Sequence, residues 1–370
     1  MTQTSLKPIP KLTEAPAQVV NWPRLRVRWG VLAVLLALVI AAFVLMLALG
    51  SVPVPLEDIA RVLTGGEASR ASWNNIILKF RLPKALTAAL AGAALGVSGL
   101  LMQTFFRNPL ADPYVLGISS GASLGVALVV LSSGTVGMTL LAGIGFLGDL
   151  SITLAAMLGA GLTMAMVLLL AQRVRSVMTL LIVGLMFGYL TSGVLSMLLY
   201  FHLPERIQAF ISWTFGSFGG VTWNEMRLLA PAVIIGLVLA LRLAKPLNAL
   251  LLGEAYARSM GLNVQSTRLW IIVVTAILAG VVTAFCGPIG FMGIAVPHLC
   301  RSILGTSDHR ALLPASLLMG ALVALVAALI AQVPGSNLSL PLNAITALLG
   351  APVVIWVILR RRNLRESFAS

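Results

Sequence analysis

Charge is what this sequence has least of. Only 10% of its 370 residues are Asp, Glu, Lys or Arg, while 59% are apolar and the mean hydropathy is +1.01. A soluble domain carries about 25% charged residues. A chain so composed cannot cover its surface with polar groups, which excludes a soluble globular protein. Disorder is excluded too, because disordered chains are poor in hydrophobic residues. Tyrosine is scarce at 4 and glycine plentiful at 34, a balance that suits closely packed helices better than a barrel with aromatic girdles. Cys286 and Cys300 are the only cysteines and both lie in apolar runs. Their spacing fits neither a CxxC pair nor a zinc site, and the three histidines (His202, His298, His309) are scattered, so no metal site is indicated.

Catalytic signatures are missing as well. No GxSxG, HExxH or paired catalytic carboxylate sits in a plausible place, and no catalytic residue is assigned. A phosphate-binding loop needs Gly directly before its Lys; the lysines here follow Leu6, Pro10, Leu78, Pro83 and Ala244. The chain is therefore expected to be no enzyme, and any ATP-driven work requires a separate polypeptide. No apolar stretch holds a central charge, which argues against a carrier driven by protons or sodium.

What is present is a series of long apolar runs, each near the 20 residues a spanning helix needs. They fall at 30–50, 84–106, 115–132, 151–171, 178–200, 228–244, 268–288, 293–304, 312–333 and 343–360, ten in all, the eighth short. Residues 134–149 either extend a neighbour or re-enter. The fold class is all-α and polytopic: a cytoplasmic tail over 1–29, one transmembrane domain over 30–360 and a cytoplasmic tail over 361–370. Net charge is +14. With the N-terminus inside, eighteen basic residues fall on the inner side and seven on the outer, the positive-inside bias of a membrane protein with both termini cytoplasmic. That placement accounts for the charge without nucleic acid. Spans two to five and seven to ten share lengths and order with opposite orientation, the pattern of an inverted repeat.

Several shorter features stand out. The segments PLEDIARVL and PERIQAFISWTF are amphipathic and predict short helices along the outer surface. Gly92 and Gly96, and Gly117, Gly121 and Gly125, come at the spacing that lets helices approach, either within the chain or at a subunit interface. The inner loop 245–267 predicts a two-turn helix over Leu252–Met260 with Glu254 and Arg258 at favourable i,i+4 spacing; it is either a docking element or a connector.

Together these runs resemble the permeases of binding-protein-dependent ABC importers for ferric siderophores, haem and cobalamin. The resemblance covers about 50–360 and rests on RLPK at 81–84, AGAALGVSGLLMQTFFRNPLADPYVLGISSGASLG at 91–125, GEAYARSMGL at 253–262, GPIGFMGIAVPHLCRSILGTSDHRALLP at 287–314 and LPLNAITALLGAP at 340–352. It implies a multi-pass subunit of the bacterial inner membrane, dimerised with an identical or paralogous permease around a central pathway. A cytoplasmic ABC ATPase dimer would bind ATP and magnesium, this chain holding no cofactor, and a periplasmic or lipid-anchored binding protein would deliver the cargo. Gly253, Glu254, Ala255, Arg258, Gly261 and Leu262 would belong to the helix that couples to the ATPase. Arg81 and Lys84 would meet acidic groups of the binding protein, or else merely anchor a helix end. Met186, Thr191, Ser192, Ser196 and Met197 of span five would line the pathway. Arg107 and Asp112 are candidates for a pair, and His298 for a packing group. A ferric siderophore is the expected cargo, haem and cobalamin the alternatives, and a channel needing no ATPase a different class. The chain departs from the family pattern at Gln332, Ser339 and Asn343, which bears on the docking contacts and the outer gate.

Overall fold

The computed structural model describes residues 29–132, 147–174, 176–333, 335 and 339–366. Most of the expected N-terminal tail, the end of the C-terminal one and the segment 134–146 lie outside the described residues; 147–149 form the first turn of the fourth span. Among the described residues every regular element is a helix. In chain order they are α1 Trp29–Ala48, α2 Leu56–Leu63, α3 Ala71–Asn75, α4 Leu82–Phe105, α5 Ile118–Ser132, α6 Leu147–Arg173, α7 Val177–Tyr200, α8 Pro204–Thr214, α9 Trp223–Arg242, α10 Ala244–Leu251, α11 Glu254–Ser259, α12 Val264–Cys286, α13 Met292–Leu304, α14 His309–Ala331 and α15 Leu342–Glu366. Seven are long and apolar enough to cross a membrane (α1, α4, α6, α7, α9, α12, α14), and three shorter apolar helices (α5, α13, α15) complete the ten expected spans.

The two amphipathic outer segments form α2, which buries Ile59 and Val62, and α8, which buries Phe210. Asp58 is buried on α2 and accepts from the Ser69 amide and hydroxyl at 2.7 Å each, which closes the outer loop 58–69 on itself. A π-helical turn over Ile76–Arg81 runs directly into α4.

Helix α4 is almost wholly buried at the centre. Its glycines explain how. A Cβ on Gly92 would overlap the carbonyl of Gly320 in α14, one on Gly96 would meet Ser316 O at 2.8 Å, and one on Gly99 would overlap Gly293 in α13. Gly121 and Gly125 of α5 meet α6 in the same way, at Gly159, Thr163 and Ala155. Both glycine sets thus serve packing within the chain, where small residues let backbones touch.

The helix pairings follow the repeat. Helix α4 packs on α14 and α13, and its counterpart α12 packs on α6 and α5. The short helices α5 and α13 are each preceded by irregular backbone, a 3-10 turn at Pro113–Leu116 and a piece without regular structure at Gly287–Gly290, and each begins after a left-handed residue, Gly117 (φ 80°) and Phe291 (φ 67°). The Tyr114 hydroxyl accepts from the Ile289 amide at 3.2 Å and so joins the two interruptions. Irregular backbone at membrane depth is tolerated only where protein surrounds it.

Candidate functional site

Three groups of residues frame what the fold can do: a cytoplasmic elbow, an outer mouth and the open face of α7. The elbow is more helical than expected. After α9 the chain turns into α10, whose Pro246 lies in the first turn, where a missing amide costs no bond. Helix α10 buries Leu247 and Leu250. Gly253 then adopts φ 113°, a conformation closed to other residues, and turns the chain into α11. The expected helix over Leu252–Met260 is therefore shorter, because Gly253 interrupts it at the start. It ends in a Schellman arrangement: the Leu262 amide donates to Ala257 O (3.0 Å) and the Gly261 amide to Arg258 O (2.9 Å), with Gly261 at φ 82°. Asn263 caps α12 by accepting from the Ser266 amide at 2.9 Å.

Helix α11 lies against the body through Ala257, which is fully buried. Its other faces are bare: Leu252 (65% exposed), Tyr256 (53%) and Met260 (51%) project outward with Ala255. The expected Glu254–Arg258 pair forms at 3.6 Å, and Glu254 is also paired with Arg268 of α12, a partner the local spacing could not indicate. The elbow is also tied to the spans. Asn248 of α10 donates to Asp308 Oδ1 (2.6 Å) and accepts from the His309 amide (2.9 Å), and His309 Nε2 lies 2.7 Å from Thr104 Oγ1 of α4. Arg107 donates to Leu250 O at 3.3 Å, while Asp112 caps the turn at Tyr114. Arg107 and Asp112 thus have separate partners, contrary to the expected pair, because each is taken up by a backbone group, Leu250 O and the Tyr114 amide. His298 donates to Pro109 O at 2.9 Å, as a packing group would.

At the outer mouth the two expected docking cations part company. Arg81 is only 7% exposed and donates to the carbonyls of Leu47 (2.6 Å), Ala48 (3.0 Å) and Val52. Leu47 and Ala48 close α1, where carbonyls lack intrahelical partners, and Val52 follows in the turn beyond, so the guanidinium is turned inward. Lys84 is half-buried and donates to Gln332 at 3.1 Å. It lines an open cavity of about 360 Å³ with Phe215, Ser217, Gln332, Ser339 and Pro341. Two of the three departures from the family pattern therefore face Lys84. The third, Asn343, accepts from the Gly290 amide at 2.9 Å and holds the start of α15 to the interruption before α13.

Helix α7 is the least buried of the long spans. Met186, Ser192, Ser196 and Met197 are exposed on it, together with Tyr189 and Leu190, and no charged side chain lies among them. Thr191 is the exception: it is 3% exposed and points into its own subunit, because it falls on the narrow stripe of α7 that packs. Among the described residues no group of three metal-ligating side chains gathers, and both cysteines are buried and free.

Residues 37–360 match the FecCD transport family. The chain is 39% identical over 298 residues to the vitamin B12 import system permease protein BtuC of Klebsiella pneumoniae, covering 80% of this chain and 86% of that one. It is 35% identical over 340 residues to the protein of the same name from Citrobacter koseri, covering 92% and 96%. A solved structure described as an inward-facing conformation of a metal-chelate type ABC transporter superposes with a TM-score of 0.77 at 26% identity, over 90% of this chain and 99% of that one.

Proposed function

Because the chain belongs to the FecCD transport family, and is thus the inner-membrane permease of an ABC importer, we propose that it carries a bulky metal chelate of the cobalamin class, driven by a separate ATPase. The observation that carries the cargo reading is the 39% identity to a vitamin B12 permease over 298 residues. The uncharged face of α7 is in keeping with it, since a wall of Met, Ser and aromatic groups suits a large, weakly charged ligand. A ferric siderophore or haem differs from a corrinoid in charge and outline but not in the need for a wide neutral passage.

In this reading α11 is the coupling element. Leu252, Tyr256 and Met260 form an exposed apolar knob on and at the two ends of a helix stapled to α12 by Glu254 and Arg268, and they seat in a cleft of the partner ATPase, which binds ATP and magnesium. Closure of the ATPase pair moves the elbow, and Asn248 passes the movement to α14 and, through His309, to α4. The exposed faces of α7 and α15 in two permease copies then change the side to which the passage opens. Lys84, rather than Arg81, meets an acidic group of the binding protein at the outer cavity.

The test is uptake by the chain reconstituted with its ATPase and binding protein, using labelled cobalamin, a ferric hydroxamate and haem, with and without ATP. Uptake of cobalamin alone, only with ATP, is the expected result. Uptake of a different chelate overturns the cargo reading, and flux through the permease alone overturns the coupling. Leu252→Glu abolishes ATPase association if α11 is the seat; unchanged association sinks that role. Lys84→Glu weakens binding-protein docking and reduces its salt dependence.

A further inference from the structure

Helices α6 and α12 form a seam with two cavities along it that the transport reading leaves unused. At the cytoplasmic end, beside the elbow, lies an opening of about 350 Å³ whose wall includes Arg173, Arg258 and Arg268. One carboxylate, Glu254, pairs with two of these three guanidiniums, Arg258 and Arg268. The first residues of α12, Val264 and Gln265, also face the opening and bring the positive end of a 23-residue helix to it. Further along the same two helices is a second opening of about 280 Å³, bounded by Gly161, Met164 and Leu168 of α6 and by Ala276, Ile277 and Gly280 of α12, and almost wholly apolar. On α6 only the turn from Leu168 to Ala171 separates them; on α12 the eight residues from Arg268 to Ala276 rise about 12 Å.

A cationic chamber at the inner membrane surface, continued toward mid-membrane by a greasy slot between the same two helices, has the polarity and the order of an anionic phospholipid. We propose that this seam holds one anionic phospholipid of the cytoplasmic leaflet, its phosphate among Arg173, Arg258 and Arg268 and an acyl chain along the α6–α12 groove. Basic pockets between spans on the cytoplasmic side recognise such headgroups. Arg258 belongs to α11, so the lipid touches the element that moves with the ATPase, and an anion there competes with Glu254 for Arg258. The inference depends on the membrane location of the chain and not on its cargo.

The experiment is native mass spectrometry of the full chain in neutral detergent, titrated with phosphatidylglycerol, phosphatidylcholine and glycerol 3-phosphate. The expected result is preferential retention of phosphatidylglycerol, weakened by salt and reduced about fivefold by Arg173→Gln. Gly161→Phe separates the sources of phosphate. A Cβ at Gly161 meets no atom within 4 Å, so the backbone accepts a side chain there, and the ring extends into the groove that Gly161 lines; retention of phosphatidylglycerol should fall with melting temperature unchanged. Equal retention of the two lipids overturns the proposal. So does glycerol 3-phosphate binding as tightly as phosphatidylglycerol with no effect of Gly161→Phe, which would mark a soluble phosphate site instead.

Discussion

Arg81 and Lys84 stand three residues apart at the mouth of one helix, yet only Lys84 lines the open outer cavity. In the sequence RLPK they are equivalent, a basic pair at a helix end. What separates them is the end of α1, some thirty residues away, whose carbonyls claim Arg81. Arg81→Met leaves the buried Leu47 carbonyl without a donor, while Ala48 O keeps the Val54 amide and Val52 lies at the exposed surface, and should lower stability by about 1–3 kcal/mol, read as a drop in melting temperature. Lys84→Met should leave the melting temperature in place. Asp58 gives a second residue-scale expectation. The Ser69 amide and hydroxyl, with Arg61 beside them, hold its carboxyl below the usual 3.8. A lowered value means the tie is fully present above pH 3.8 and is lost as pH falls through the folded value. The difference in Ser69 amide protection between the native chain and Asp58→Asn should therefore be constant from neutral pH down to about 4 and close below it.

At the scale of elements, the spans were legible because each is a run of apolar residues long enough to cross, and the starts and stops of α1, α5, α7 and α13 fall within a few residues of the expected positions. Where the reading slipped, polar or proline-bearing residues belong to helices. Helix α9 starts at Trp223 rather than 228, since Glu225 reaches back to the Thr222 amide at 2.7 Å and caps a polar first turn. Helix α10 was hidden in an expected loop because Lys245 and Pro246 read as a breaker. That helix carries Asn248, the link from the elbow to α14, and no local pattern marks an asparagine whose partners are sixty residues on. If α11 is the seat of the ATPase, as proposed, Asn248→Leu should keep ATPase association while uptake falls about tenfold or more for a lost buried hydrogen-bond set of 1.5–3 kcal/mol. Association and uptake falling together would place the link elsewhere. Thr191 shows the same limit on α7: helical spacing puts it on a face but not on the face that packs.

Across the whole molecule, two sets of four helices of opposite sense interlock, α4 of one against α14 of the other and α12 against α6. Hydropathy suggested that repeat through span length and order alone; the close approach of Gly92 to Gly320 and the packing of α12 on α6 supply its substance. The halves also meet where both are broken, at the Tyr114 hydroxyl and the Ile289 amide. Tyr114→Phe keeps the ring and removes the acceptor, so the expected outcome is slower uptake with the melting temperature little changed; uptake at the native rate would show the bond to be idle. If the bond does count, then a machine worked from the cytosol and loaded from outside has its fulcrum near the midpoint of the bilayer, and small tilts at one surface become swings of the opposite sense at the other.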